Sequence, residues 1–451
     1  MLSLCLEFDL EFEVYDVPQA FNQAEQMTEG IFVMLKKAVV DRVIKRRPEW
    51  ARFVLPNGQM LVRAKKAWYG LASSPAVWNR EITTTLEVNG YKRHPLVECL
   101  YLKWTGKVPS IIQLFVDDCG VCFAKDGKER KRMLGVLTAK YGQLHQQTGN
   151  KVNYIGMEIT RVTTTESGVE EFHVTQLAQI AKVNKKFDMD IDDVVAEPAK
   201  RNFMDAPTGA QADGVSVHQY KSLVASLRYI AALTHVTLGF HCGYLSSQQT
   251  CPTVKNMEEA KQLLRHINYM KDRPVRIRAL GSKTRIEGRT YMDASHRIYN
   301  DGRGHNGIAV FIGNAGAAMY FKSKKHECQV LSSTDAETVC VTPATLVGDF
   351  YKRVLAEFNI TCTMKYLEDN TNVIEYAEGG FHEYSQKRKF IVNRINEFHE
   401  YFSDKSNDAS IHYVKTTQNC ADSGTKVLFG KRHSNHDQKM RGEVSDLKEL
   451  D

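Results

Sequence analysis

The stretch Ile111-Ile-Gln-Leu-Phe-Val-Asp-Asp-Cys-Gly-Val-Cys-Phe123 sets two adjacent carboxylates, Asp117 and Asp118, inside a run that is otherwise apolar. Burying an ionised carboxylate without a partner costs several kcal/mol. The pair therefore demands a turn that exposes it, a cation that neutralises it, or both. Two readings stand open from these residues alone: a hairpin whose turn carries a chance Asp-Asp, or a hairpin that presents a metal site. Partners elsewhere in the chain must decide between them.

The chain has 451 residues, 43% of them hydrophobic, enough for roughly two to four domains with cores of their own. No apolar run reaches the length of a membrane-spanning helix, and Met1-Leu-Ser-Leu-Cys-Leu-Glu-Phe-Asp9 lacks the basic start of a secretory signal. An intracellular protein with no membrane partner is expected. The ten cysteines follow no disulfide-framework spacing and are read as reduced. Cys119 and Cys122 form a C-x-x-C, but an offset of three sends them to opposite faces of a strand, which argues against zinc. A net charge of +7 is compatible with a nucleic-acid partner. Basic clusters recur at Lys36-Lys37, Lys45-Arg46-Arg47, Lys65-Lys66, Lys128 to Arg132 and Lys322 to Lys325, and each by itself reads as a solvated face.

Alternation from Phe12 to Val17 predicts a strand ending at Asp16, Trp78 to Asn89 has helical spacing, and Ile111 to Phe123 reads as two strands turning at Asp117-Asp118. Asn153 to Ile159 reads as a strand and Thr175 to Phe187 as a helix. Residues 196–214 form a connector, and residues 220–271 a helical layer. After Gly281 the pattern becomes strands at 289–294, 307–312 and 317–322, then a long helix at 334–358 interrupted by Pro343. A strand at 361–368, helices to Phe402, a strand at 410–414 and a last helix from Ala421 complete the series. This is a mixed sheet with helices on its faces. The charged end, 431–451, has few large apolar residues and is expected to be disordered.

Two sets of acids emerge. Asp16 closes one strand while Asp117 and Asp118 sit at the turn between two others. In the second region the candidates are Asp293 at the end of a strand, Glu337 on the long helix, Asp369 after the fourth strand and Asp422 at the start of the last helix. Phosphoryl transfer asks for two divalent ions about 3.5–4 Å apart, and carboxylates on rigid strand ends suit Mg²⁺.

Asp16-Val-Pro-Gln-Ala-Phe21, Trp68-Tyr-Gly-Leu-Ala-Ser-Ser-Pro-Ala-Val-Trp78, Phe115-Val-Asp-Asp118, Tyr154-Ile-Gly-Met-Glu-Ile159 and Tyr220 to Ile230 occur in that order. Together they resemble the reverse transcriptases of Ty1/copia-type retrotransposon Pol polyproteins. Tyr291-Met-Asp-Ala-Ser295, Lys322-Ser-Lys-Lys325, Ser332 to Glu337, Glu368-Asp-Asn370 and Gln418 to Lys426 resemble the ribonuclease H region of the same family. The resemblance implies an α+β and α/β chain: a right-hand-like polymerase palm at 1–199, a helical thumb or connection at 200–285, and a ribonuclease H-like mixed sheet flanked by helices at 286–430. It implies two Mg²⁺ per active site, with Mn²⁺ as a substitute, on Asp16, Asp117 and Asp118, and on Asp293, Glu337, Asp369 and Asp422. Asp335 and Glu368 are bystanders in that alignment. Phe21 would be the gate against a 2′-hydroxyl, or a plain core aromatic. Gly70 would let backbone approach the nucleotide, and Ser74-Pro75 would start the helix under the template, or a plain helix N-terminus.

The implied partners are an RNA template, a DNA primer, an RNA·DNA hybrid, deoxynucleoside triphosphates and the integrase and protease segments of the polyprotein, in a cytoplasmic particle or the nucleus. Departures exist. Only fifteen residues precede Asp16, so the fingers are expected to be largely missing, and Pro18 removes an amide donor near the triphosphate. Ser73, Gly120, Pro343 and Ser423-Gly424 also depart from the family pattern. The rival expectation is a non-catalytic or nuclease-only remnant that keeps the fold and binds nucleic acid.

Overall fold

A computed structural model describes residues 1–24, 30–164, 168–379 and 389–447, with Lys389 and Phe390 described by backbone only. The chain divides into two compact units, one made of residues 11–148 and the other of residues 1–10 together with 149–451.

In the unit at 11–148, a six-stranded sheet runs in the order Lys92–Arg93, Leu100–Thr105, Val108–Phe115, Asp118–Ala124, Leu10–Asp16, His145–Gln147. Helix Ser74–Val88 buries Trp78, Ile82 and Leu86, four residues apart on one stripe. Helix Lys128–Tyr141 does the same with Met133, Leu137 and Tyr141. These six join Tyr15, Ile112, Leu114, Val121 and Phe123 in one core, each fully buried apolar side chain contributing about 1.5–3 kcal/mol. Cys119 and Cys122 are both buried, so the Asp118 strand is covered on its two faces. A two-stranded sheet pairs Phe32–Leu35 with Met60–Arg63 and leaves Phe32, Met34 and Leu61 exposed. The basic run at 128–132 is partly spent internally: Arg130 pairs with the buried Glu13 at 2.7 Å and Arg132 with Glu129 at 2.6 Å.

The other unit holds the helical layer, with helices Val217–Leu233, Gly239–Ser247 and Val254–Met270 packed through Leu223, Leu227, Ile230, Leu263, Leu264 and Ile267. The segment read as one strand at 153–159 is instead a hairpin, Lys151–Tyr154 with Met157–Thr163, because Ile155 and Gly156 both take positive φ and reverse the chain.

Its five-stranded sheet has the order Tyr320–Lys325, His305–Ile312, Arg285–Ser295, Thr361–Glu368, Ala409–Tyr413. The first three are antiparallel and the last two join in parallel, which requires crossover helices. Helix Ser333–Ala356 supplies one crossover, capped by Ser332. Pro343 lies inside it, as the single long helix read from sequence implies. Gly348 lets it lie close to the sheet, since a Cβ there would come within 2.0 Å of the Tyr366 hydroxyl.

Two expectations for the C-terminal end fail. Asp422 lies in a 3-10 turn, Cys420–Gly424, not at the start of an α-helix. Residues 431–451 were expected to be disordered, yet Gly430–Met440 is a helix with His433, His436, Asp437 and Lys439 buried. The reason is chemical: its buried face is made of histidines and an Asp437–Arg441 ion pair at 2.7 Å, which hydrophobic patterning does not register. His266 and His433 meet with their Nε2 atoms 3.1 Å apart.

Candidate active sites

The hairpin first raised by the sequence turns through Val116 and Asp117, with Phe115 paired to Asp118, so Asp118 opens the second strand instead of sharing the turn. Val116 has φ +58°, a conformation in which a β-branched residue is strained. Surrounding bonds hold it there. The buried Trp78 indole donates to the Val116 carbonyl at 2.6 Å, and the Val17 N–H donates to the Asp117 carbonyl at 3.1 Å. That second bond ties the residue after Asp16 to the residue bearing Asp117, so two of the three acids are fixed through backbone.

The three acids are half-buried. Burial, followed by the charges of Asp117 and Asp16, raises the Asp118 carboxyl above its usual range. The exposed Tyr69 donates to Asp117 at 3.4 Å, and burial together with Asp117 and Asp16 raises its phenol. Phe21 is buried and its ring lies 4.6 Å from that of Tyr69, which is both a core position and one beside the acids. Gly70 has φ +97°, with open space where a side chain would stand. Ser74 closes the turn before its helix, donating to the Trp68 carbonyl at 2.6 Å and accepting the Trp68 N–H at 2.9 Å, and Pro75 sits in the first helical turn. Tyr69 was quoted in the sequence motif without a role; its aromatic-hydroxyl position next to Gly70 was the available signal.

The second set is deeper. The carboxylate oxygens of Asp293, Glu337 and Asp369 lie within 4.8 Å of one another, the one such acidic group among the described residues. Asp293 is 3% exposed and Glu337 7%. Burial and then the neighbouring Asp422 push Asp293 up to about 7, while burial and then Glu368 push Glu337 well above the carboxylate range. Thr425 donates to Asp293. Asn419 reaches both the Met292 carbonyl, at 2.7 Å, and Asp369, at 3.5 Å. Asp422 is fully buried but its oxygens pair with Lys426 and, at 2.5 Å, with Arg432. The structure thus brings three of the four predicted acids together and gives the fourth to two cations.

Glu368, read from sequence as a bystander, is buried and its charge acts on Glu337, but it is not among the acids whose oxygens lie within 4.8 Å of one another. Alternating burial along Thr361–Glu368 puts it on the face shared by Met364 and Tyr366, and that period-two pattern was legible beforehand. Its Oε1 accepts the N–H groups of Asp369 and Asn370 at 3.1 and 3.0 Å. Among the described residues, neither its Oε2 nor the Glu337 Oε2 has a hydrogen-bond partner, although both are buried. Uncompensated hard oxygens at this density fit a divalent cation such as Mg²⁺ or Mn²⁺ better than an apolar core.

A family model described as reverse transcriptase (RNA-dependent DNA polymerase) matches residues 21–201. The chain is similar to the retrovirus-related Pol polyprotein from transposon TNT 1-94 of Nicotiana tabacum, 24% identical over 95% of this chain and 30% of that protein. It is also similar to the Pol polyprotein from transposon RE1 of Arabidopsis thaliana, 23% identical over 80% of this chain and 23% of that protein. It therefore spans less than a third of either polyprotein. Among solved structures, a ribonuclease H1 from compost, LC11-RNase H1, aligns with 31% of this chain and 92% of its own at 13% identity and a TM-score of 0.25.

Proposed function

Taking as premise a chain that carries a reverse transcriptase domain and is related to copia-type Pol polyproteins, we propose that it performs RNA-directed DNA synthesis and cleaves the RNA of RNA·DNA hybrids. Residues 1–199 are the polymerase palm region, 200–285 the helical connection and 286–430 the ribonuclease H domain. The observation that carries the reading is the pairing of a strained Asp-Asp hairpin with a separate, buried Asp-Glu-Asp group.

Asp16, Asp117 and Asp118 hold the cations of the polymerase. Asp293, Glu337 and Asp369 hold those of the nuclease. When bound, Mg²⁺ supplies charge neutralisation for the phosphate and its leaving oxygen. The chain's own residues do the positioning. Trp78 and Val17 fix the hairpin, Phe21 and Tyr69 line the sugar side of the nucleotide, and Gly70 leaves room for it. In the nuclease, Thr425 and Asn419 orient Asp293 and Asp369, while Glu368 fixes the turn that bears Asp369. The partners are an RNA template with a DNA primer, deoxynucleoside triphosphates and the hybrid, in the setting of a Pol polyprotein with integrase and protease segments. The compartment is a cytoplasmic particle or the nucleus.

The experiment is primer extension on poly(rA)/oligo(dT) with Mg²⁺, alongside cleavage of a labelled hybrid. Extension lost in Asp117→Asn with cleavage retained, and the reverse in Glu337→Gln, supports both activities. A second reading, nuclease without polymerase, is favoured by one observation: the nuclease acids converge within 4.8 Å and the hairpin acids do not form such a group. Cleavage by the intact chain without any extension selects it.

A further inference from the structure

We propose that segment 36–53 is a docking surface for single-stranded nucleic acid, separate from the hairpin acids and independent of metal. It rests on the polymerase reading only in the choice of nucleic acid over other polyanions.

The charge of the chain is concentrated there. Residues 30–69 hold ten lysines and arginines against Asp41 and Glu49, a net +8 where the whole chain has +7, so the other 411 residues together carry −1. All ten basic residues are exposed. Among the described residues, Arg47 alone of the ten is ion-paired, with Glu49 at 3.7 Å, and both members of that pair are more than half exposed. The basic run at 128–132 is different, since Arg130 and Arg132 are taken up by Glu13 and Glu129. Cations gathered without counter-charge repel one another, and a polyanion relieves that repulsion.

Local structure decides which polyanion. Helix Lys37–Arg46 buries Val40 and half-buries Val43 and Ile44. Arg42, Lys45 and Arg46, three and four residues apart, share another side of the helix and lie in solvent. Arg47 leads into the 3-10 helix Pro48–Phe53, in which no residue is buried. Trp50 is 41% exposed and Phe53 53%, with the Arg52 guanidinium 4.8 Å from the Phe53 ring centroid. Cations for phosphates and rings on which bases stack are the two requirements of an unpaired strand. A duplex keeps its bases stacked on each other and has no use for the rings. An anionic membrane asks for a free apolar helix face, and this helix turns its own against the protein.

The surface also lies on the way to the hairpin acids. Leu35, just before the helix, pairs with Met60, nine residues ahead of Tyr69, whose hydroxyl donates to Asp117 at 3.4 Å. Nine residues span at most about 32 Å, so one strand can rest on the surface and reach the acids.

The test is binding of labelled oligo(rU) to the full chain in EDTA without nucleotides, followed by anisotropy across a salt series. Arg42→Gln, Lys45→Gln and Arg46→Gln combined should lower the slope of log affinity against log salt by about 2, as the loss of three phosphate contacts on a single strand requires. Arg42→Lys with Arg46→Lys should keep the wild-type slope. Trp50→Ala with Phe53→Ala should weaken binding about fivefold or more and leave the slope in place. Lys182→Gln with Lys185→Gln, two equally exposed lysines of the other unit, should change neither. All these side chains are exposed, and an unchanged thermal midpoint checks that each variant folds. An unchanged slope in the triple variant, an equal fall in the Lys182/Lys185 control, or undiminished affinity without the two rings overturns the proposal. So does loss of binding to phosphatidylserine vesicles in the triple variant while its RNA binding stays intact, which assigns the surface to lipid. Primer extension keeps this apart from the polymerase reading. A chain that extends primers while the triple substitution leaves its slope unchanged overturns the surface and keeps the enzyme; one that binds RNA through the surface and never extends does the reverse.

Discussion

The hairpin acids and the sheet acids solve one problem in two ways. At Asp117 and Asp118 the carboxylates are half-buried at a turn, and the cost sits in the backbone: Val116 is held left-handed by the Trp78 indole and the turn is tied to Val17. At Asp293 and Glu337 the backbone is ordinary strand and helix, and the cost is electrostatic: buried acids crowd together and are pushed toward protonation. One site is held by conformational strain and the other by desolvation. Variants that relieve the cost should therefore act differently in the two places.

The largest expected effect is on activity. Asp117→Asn should abolish extension and spare hybrid cleavage, and Glu337→Gln the converse, each loss exceeding the roughly 10–100-fold typical of outer-sphere changes. Equal loss of both activities in either variant would break the division into two independent sites.

Next comes stability against acid, which sets the sheet unit apart. Burial depresses His266 to about 3 and His436 to about 4, with Asp437, Arg441, Asp422 and Arg432 as their charged neighbours. An unfolded imidazole titrates near 6.5, so between roughly pH 6.5 and 3 the unfolded chain binds protons that the folded one refuses. Stability is full above that window and falls as pH drops through it, by up to about 1.4 kcal/mol per pH unit for each such group. Urea midpoints at pH 7.5 and 5 should show the loss, and His436→Leu should reduce the slope.

A smaller effect isolates the Trp78 contact. Trp78→Phe leaves the Val116 carbonyl without its donor and should cost about 1–3 kcal/mol, read as a lowered denaturation midpoint together with weaker extension. The smallest is Val116→Gly. Relief of about 1–2 kcal/mol of left-handed strain is offset by about 0.5–1 kcal/mol of added backbone entropy in the unfolded chain, so the midpoint should barely move. Extension should nevertheless fall as the turn loosens. An unchanged extension rate would mean that the strain has no part in placing the acids.

Most of this architecture was readable from periodicity and turn chemistry, since helices such as 74–88 and 254–270 carry apolar stripes and the strand at 361–368 alternates. What was missed has common physical causes. The helix at 430–440 is buried through neutral histidines and one ion pair, and charge-rich composition hides such a face. The hairpin at 151–163 turns on Ile155 at φ +49°, a residue type that gives no turn signal. Asp422 was expected among the clustered acids because sequence cannot show that Lys426 and Arg432 point at it, and Glu368 was set aside because the family motifs place the ligand at Asp369.

Residues 1–10 fold with residues 149–451, not with the residues that follow them. Arg161 donates to the Leu10 carbonyl at 2.7 Å and the Gly281 N–H to Glu7 at 2.7 Å, while Leu4, Cys5 and Phe8 are buried. In chain order, residues 11–148 are therefore an insertion between the two segments of the other unit. A protease cut at the second junction would leave a fragment of residues 1–148 still fastened by its first ten residues, so the two pieces should copurify. Residues 149–451 expressed alone would instead show bare apolar surface where Leu4, Cys5 and Phe8 pack, and adding back a synthetic peptide of residues 1–10 should restore solubility.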